Sequence, residues 1–212
     1  MRITTAAVPP FYKNGYLVSC ERTKEAVIID PGDEVSELLA AVRAGALRVK
    51  YILLTHAHID HITGVGAAKA ALNVPIWLHR DDLFLYEGLE KQGEMFDIHT
   101  ESAPPVDAFY EAGQHLTFGD YVVDVQPTPG HSPGGVCLAI GLAAGGPREL
   151  FVGDTLFAGS VGRTDLPGGD PNRLLRSIRQ VLFAFPDDTV VHSGHGPDTT
   201  IGRERETNPF LR

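Results

Sequence analysis

Hydrophobic and polar positions change their period along the chain, and the changes mark out the elements. "YLVSC" (16–20) and "AVIID" (26–30) are short apolar runs rich in β-branched residues and predict strands. In "PGDEVSELLAAVRAG", Val35, Leu38, Leu39 and Val42 recur at helical spacing, which predicts an amphipathic helix with Asp33 as its N-cap. "VKYILLT" (49–55) predicts a buried strand and "TGVGAAKAALNV" (63–74) a helix of small residues. "PIWLH" predicts a further strand, "DDLFLYEGLEKQGEMF" (81–96) a helix weakened by Gly88 and Gly93, and "TESAPPVDA" a loop. Beyond residue 120 the pattern turns to β structure: "YVVDVQ" alternates, "GVCLAI" is continuously apolar, and "ELFVGD" runs into a glycine-aspartate turn. "DPNRLLRSIRQVLFAF" (170–185) places Pro171 at a first helical position and Leu174, Leu175, Ile178, Leu182 and Phe185 on one face, and "TVVHSG" is the last predicted strand. Strands interleaved with helices, with no repeat, heptad or flexible joint, predict a mixed α/β fold forming a single domain over residues 1–212.

Composition fits a folded protein, with 43% apolar and 21% charged residues. The net charge of -9 opposes a nucleic-acid or anionic-membrane partner, either of which requires clustered Lys and Arg. The acidic excess is confined to residues 1–162, with 11 basic and 20 acidic side chains, whereas 163–212 carry 7 of each and are the better place to meet a small anion. Cys20 and Cys137 lie in strand-like runs without a second thiol at ligand spacing, so each is expected to be buried and inert. The absence of a signal-like apolar segment or an 18-residue apolar run makes the cytoplasm the expected location.

Candidate chemistry is concentrated in "LLTHAHIDHITG" (53–64), where His56, His58, Asp60 and His61 fall within six positions on what the pattern places as a loop between strand and helix. On a helix, residues two apart diverge, whereas on an extended segment His56 and His58 point the same way. Imidazoles and a carboxylate are ligands suited to zinc, iron or manganese, and four on one loop exceed the needs of a single open site, which suggests two metals. Further ligands are expected on loops that end strands. His131 in "PTPGHSPGG", Asp154 in "LFVGDTLF" and His195 in "VVHSGHGP" meet that condition, while His79, His99, His115 and His192 have no partner visible in sequence. Taken singly, a loop histidine is ordinarily exposed or bonded locally and a Gly-Asp pair is ordinarily a turn. The cluster at 56–61 is what lifts the other three.

"THAHIDH", "PGHSPGG", "VGDTLFAGSVGRTDLPGGD", "GHGP" and "ERETNPFL" together resemble the metallo-β-lactamase superfamily, and within it the glyoxalase II-like branch of single-domain hydroxyacylglutathione hydrolases. The resemblance implies an αββα sandwich of two mixed sheets flanked by helices. It further implies that His56, His58 and His131 bind one divalent ion, that Asp60, His61 and His195 bind a second, and that Asp154 bridges them. Zinc is the first expectation for both ions, with iron or manganese as alternatives. Asp rather than Cys at 154 departs from the familiar zinc β-lactamases, and His rather than Glu at 58 departs from the flavodiiron oxygen reductases. The implied reaction is hydrolysis of a thioester such as S-lactoylglutathione by a metal-bridging hydroxide, with Asp60 taking the proton of the water. Arg163 is a candidate for the substrate's glycyl carboxylate, against the alternative of an ion pair with Asp165. Larger glyoxalase II enzymes add a C-terminal helical domain that supplies part of the glutathione pocket, and the sequence predicts none here. The "GRTD" stretch is also similar to the persulfide dioxygenases, which use one iron and oxygen and stand as the rival reading. A metal-dependent nuclease or lactonase ranks lower. The expected partner is a small thioester or glutathione-type molecule, with oligomeric state left open.

Overall fold

The computed structural model describes residues 1–111 and 113–212. The chain divides into two compact units, Met1–Glu111 with Phe118–Asp120, and the described residues of 113–117 with 121–212.

In the first unit a six-stranded sheet runs in the order β1 (Arg2–Ala6), β2 (Gly15–Ser19), β3 (Glu25–Ile29), β4 (Arg48–Leu53), β5 (Ile76–Leu78), β6 (Ala108–Phe109). The first three strands pair antiparallel and the last four, counting β3, pair parallel. Parallel strands need crossovers, which are supplied by α1 (Val35–Ala44) between β3 and β4 and by α2 (Ile59–Ile62) with α3 (Val65–Leu72) between β4 and β5. Leu17, Ile28 and Val49 of the sheet pack with Leu38 and Val42 of α1, while Ile52, Ile76 and Leu78 pack with Ile62, Val65 and Ala68. The single tryptophan, Trp77, lies on β5 with its ring stacked on Tyr110 at 6.0 Å and edge-on to Tyr51.

Two local expectations are corrected here. Glu34, not Asp33, occupies the N-cap of α1, and Asp33 instead accepts a hydrogen bond from the Thr63 hydroxyl at 2.7 Å. Glu34 is itself drawn inward by a buried ion pair with Lys13 at 2.6 Å. The helix over 81–96 is broken at Gly88 into α4 (Leu83–Glu87) and α5 (Leu89–Phe96), consistent with glycine's weak helix propensity.

The second unit carries a mixed sheet in the order β14 (Thr199–Thr200), β13 (Val190–Ser193), β10 (Arg148–Gly153), β9 (Val136–Leu142), β8 (Tyr121–Pro127), β7 (His115–Phe118). β10 and β13 are parallel, and the crossover between them contains a small hairpin, β11 (Leu156–Phe157) with β12 (Ser160–Val161), and α6 (Pro171–Gln180). Asp170 caps α6 by accepting from the Arg173 amide at 2.9 Å, with Pro171 following as predicted. Leu174 and Ile178 of α6 pack with Cys137, Ala139, Leu150, Val152 and Val191. A last helix, α7 (Ile201–Thr207), follows β14. Both cysteines are buried, and burial pushes the Cys137 thiol far above its ordinary range. No described helix is long and apolar enough to cross a membrane.

Candidate metal centre

In the first unit the chain leaves β4 extended and reaches His58 at φ -72° and ψ 153°, where it turns into α2. His56 and His58 lie on this extended exit, with ring centroids 4.9 Å apart. Asp60 and His61 are not on the loop expected for them but in the single turn of α2, which begins at Ile59. That turn brings the His61 ring to 4.0 Å from the His56 ring and its Nε2 to 3.7 Å from Asp60 Oδ2. The segment is pinned from behind. Asp82 accepts from the Ala57 amide at 3.1 Å, and Gln92 accepts from the Ile59 amide at 3.0 Å while donating to the carbonyls of Ala57 and Leu85, each at 2.9 Å.

Asp30, just past the end of β3, is bonded to one of the candidate ligands and was missed by sequence reasoning. Its Oδ1 accepts from the Thr55 amide at 2.7 Å, and its Oδ2 accepts from the Thr55 hydroxyl at 2.6 Å and from His61 Nδ1 at 2.9 Å. A carboxylate has no proton to give, so His61 Nδ1 carries the hydrogen and Nε2 presents its lone pair. The Thr55 hydroxyl, having donated to Asp30, accepts from His56 Nδ1 at 3.1 Å, which sets the same tautomer on His56. Ligand-type atoms of Asp30, His56 and His61 lie within 4.8 Å of one another. The oxygens of Asp30 are engaged by these donors, an arrangement that orients the His61 ring directly and the His56 ring through the Thr55 hydroxyl. The visible signal was the "IIDPG" turn, where Asp30 sits at φ 49°, a left-handed conformation that non-glycine residues seldom hold.

In the second unit the three predicted residues converge on one carboxylate. Asp154 follows β10 directly, turned by Gly153 at φ 51°, and its Oδ2 lies 3.7 Å from His131 Nε2 and 3.6 Å from His195 Nε2. His131 is held by the carbonyl of Arg163, which accepts from its Nδ1 at 2.7 Å and leaves the Nε2 lone pair directed at Asp154. The His131 loop is in turn tied to α6, where the Asp170 amide donates to the Gly130 carbonyl at 2.8 Å and the Ser177 hydroxyl donates to the Pro129 carbonyl at 2.7 Å. His195 stands two residues beyond β13, with its ring edge-on to Phe157 at 6.1 Å. Gly162 packs so closely behind Asp154 that a Cβ there would fall 1.9 Å from the Asp154 carbonyl and 3.1 Å from His131 Nδ1.

The Arg163 guanidinium forks onto Asp165, with both nitrogen-oxygen distances 2.7 Å, and this pairing holds the Asp165 carboxyl down at about 2. His192 has partners that sequence did not reveal, with Nε2 at 2.7 Å from Glu149 and Nδ1 at 3.0 Å from Asp198. His115 pairs with Asp124, and His79 accepts from the Asp81 amide.

The donor set suits divalent transition metals. Five imidazoles and two carboxylates, with no thiolate, are the nitrogen and oxygen ligands that zinc, iron and manganese share. The rings of His56, His61 and His131 are each backed on Nδ1 by an oxygen, the support that metal-ligating histidines use to fix tautomer and orientation.

A family model described as the metallo-β-lactamase superfamily matches residues 8–195. The hydroxyacylglutathione hydrolase GloC of Haemophilus influenzae is 37% identical over 218 residues, covering 100% of this chain and 98% of its own. Among solved structures, the BLEG-1 B3 metallo-β-lactamase aligns with a TM-score of 0.88 and 37% identity over 99% of both chains. TTHA1623 in a di-iron-bound form aligns with a TM-score of 0.86 and 42% identity over 98% of this chain and 100% of its own.

Proposed function

The chain belongs to the metallo-β-lactamase superfamily, with its fold of two mixed sheets flanked by helices, and on that premise we propose that it is a binuclear metallo-hydrolase acting on glutathione thioesters of hydroxy acids. His56, His58 and His131 would hold one ion, Asp60, His61 and His195 the second, and Asp154 both. Residues 1–212 then act as a single catalytic domain. The observation that carries this reading is the thiolate-free donor set with oxygen-backed imidazoles. Support for the substrate comes from the 37% identity to the Haemophilus hydroxyacylglutathione hydrolase along nearly the whole of both chains. Zinc is the first assignment for both ions, and the di-iron-bound relative supports iron as its alternative.

When bound, the ions supply hydroxide near neutral pH and polarise the thioester carbonyl. The protein's part is to place groups. Asp60 accepts the proton of the attacking water; as the new C–O bond forms and the C–S bond breaks, that proton passes to the departing sulfur, giving a carboxylic acid and a thiol. No serine or cysteine nucleophile is required, in keeping with the burial of both cysteines. Arg163 would receive the glycyl carboxylate of the substrate by exchanging its fork from Asp165, since a planar guanidinium pairs equally well with either carboxylate.

The test is metal analysis with turnover of S-lactoylglutathione before and after chelation. Two ions per chain, loss of turnover on metal removal and recovery on adding zinc or iron are the expected results. Turnover that survives full metal removal, or one iron per chain with oxygen consumed on glutathione persulfide, overturns the reading. The close packing of Gly162 gives a second check. Gly162→Ala is expected to weaken metal retention by about 10- to 100-fold, the usual range for disturbing the support of ligands, as measured by dialysis against graded chelator.

A further inference from the structure

Glu204 on α7 is completely buried, yet among the described residues no lysine, arginine or histidine pairs with it. Its carboxylate is met by three neutral donors from three segments. The Thr199 hydroxyl donates to Oε1 at 2.6 Å, while the Gly159 amide and Asn208 Nδ2 donate to Oε2, each at 2.8 Å. Asn208, just past the end of α7, also donates to the Ser160 carbonyl at 3.0 Å, so Glu204 and Asn208 together hold Gly159 in the turn of the β11–β12 hairpin and Ser160 at the start of β12.

A buried carboxylate without a cation is costly, and where only shape is needed an apolar side chain serves at lower cost. Its value here lies in what the three donors belong to. The hairpin is the connection between Asp154 and Arg163, whose carbonyl orients His131, and its Phe157 lies against the His195 ring. Thr199 closes the loop that follows β13 and carries His195. One carboxylate therefore ties the loop bearing His195 to the hairpin that begins after Asp154.

We propose that Glu204 is a positioning residue for the metal centre, holding the hairpin tip and the end of the His195 loop in the register that Asp154, His131 and His195 need to bind. The inference rests on the two-metal reading above, and its test is binding rather than activity.

The experiment is competition titration of zinc against a chromophoric chelator, which reads the two equivalents separately, with thermal melts of the metal-free chains alongside. Glu204→Ala is expected to weaken the more loosely held equivalent by about 10- to 100-fold. Glu204→Gln is expected to stay near wild type, because its amide oxygen can take the Gly159 and Asn208 donors while its NH2 donates to the Thr199 hydroxyl. Thr199→Val, which keeps the shape and removes only the link to the His195 loop, is expected to weaken the same equivalent by a smaller factor and serves if Glu204→Ala fails to fold. Unchanged affinities in a Glu204→Ala protein that merely melts earlier, or unchanged affinities in Thr199→Val, overturn the proposal. A wild-type chain that does not take two ions overturns the two-metal reading and this proposal with it, so the wild-type titration tells the two failures apart.

Discussion

Replacing Asp154 with alanine is expected to lower kcat/KM for a glutathione thioester by at least about 10³-fold, equivalent to about 4 kcal/mol of barrier. Asp154 is the only carboxylate in the second unit's ligand set, and His131 Nε2 and His195 Nε2 both lie within 3.7 Å of its Oδ2. In the proposed centre it is the one group that serves both ions. Its charge would offset the repulsion between the two dications, and its loss would leave one ion with only neutral imidazoles and the other with Asp60 as its only carboxylate. Asp154→Asn keeps the size and removes the charge, so a comparable loss there would assign the effect to charge rather than to a cavity. Steady-state kinetics with metal content on the same samples checks this. Activity within tenfold of wild type in either variant would remove Asp154 from the centre.

The second large effect is expected from a residue that is not a ligand. Asp30→Asn is nearly isosteric, and its side-chain oxygen can still accept from the Thr55 amide as Oδ1 does now. In place of Oδ2 it presents an NH2, which must donate. His61 Nδ1 then has to accept, moving its proton to Nε2, the atom proposed to face the metal. The Thr55 hydroxyl has to accept as well and turns its own hydrogen toward His56 Nδ1, putting His56 into the same wrong tautomer. One substitution disables two imidazoles, so zinc affinity is expected to fall by about 100-fold, at the upper end of what outer-shell changes produce. Competition titration on the folded variant reads this directly, and a titration that superimposes on wild type would show that Asp30 serves only to hold the turn.

Much of this was legible in the sequence because the chemistry sits where strands end. Each of β4, β10 and β13 carries a short apolar stretch, buried or half-buried, a few residues before a ligand candidate: Ile52 with Leu53, Leu150 with Phe151 and Val152, and Val190 with Val191. Such stretches mark a buried strand. The elements that escaped notice lack that pattern. β1 is polar and at best half-buried, β11, β12 and β14 are two residues each, and α7, "IGRERET", is short, highly charged and held through Glu204 rather than through an apolar stripe. Asp30 escaped because Asp before Pro-Gly resembles an ordinary turn, and its importance appears only when Thr55 and His61 fold back onto it. The α2 turn reads as loop in the sequence because four residues carry no helical period of their own.

Trp77 turns the arrangement of the chain into a measurement. It is the only tryptophan, it lies within the first unit, and its ring is stacked on Tyr110, the phenol of which is held far above its ordinary pKa chiefly by burial and further by the charge of Asp30. Intrinsic fluorescence excited at the indole therefore follows the opening of the β5 region alone, whereas far-UV circular dichroism averages over both sheets. Superimposing the two signals along one urea titration would resolve whether the two units melt as one cooperative body or in sequence.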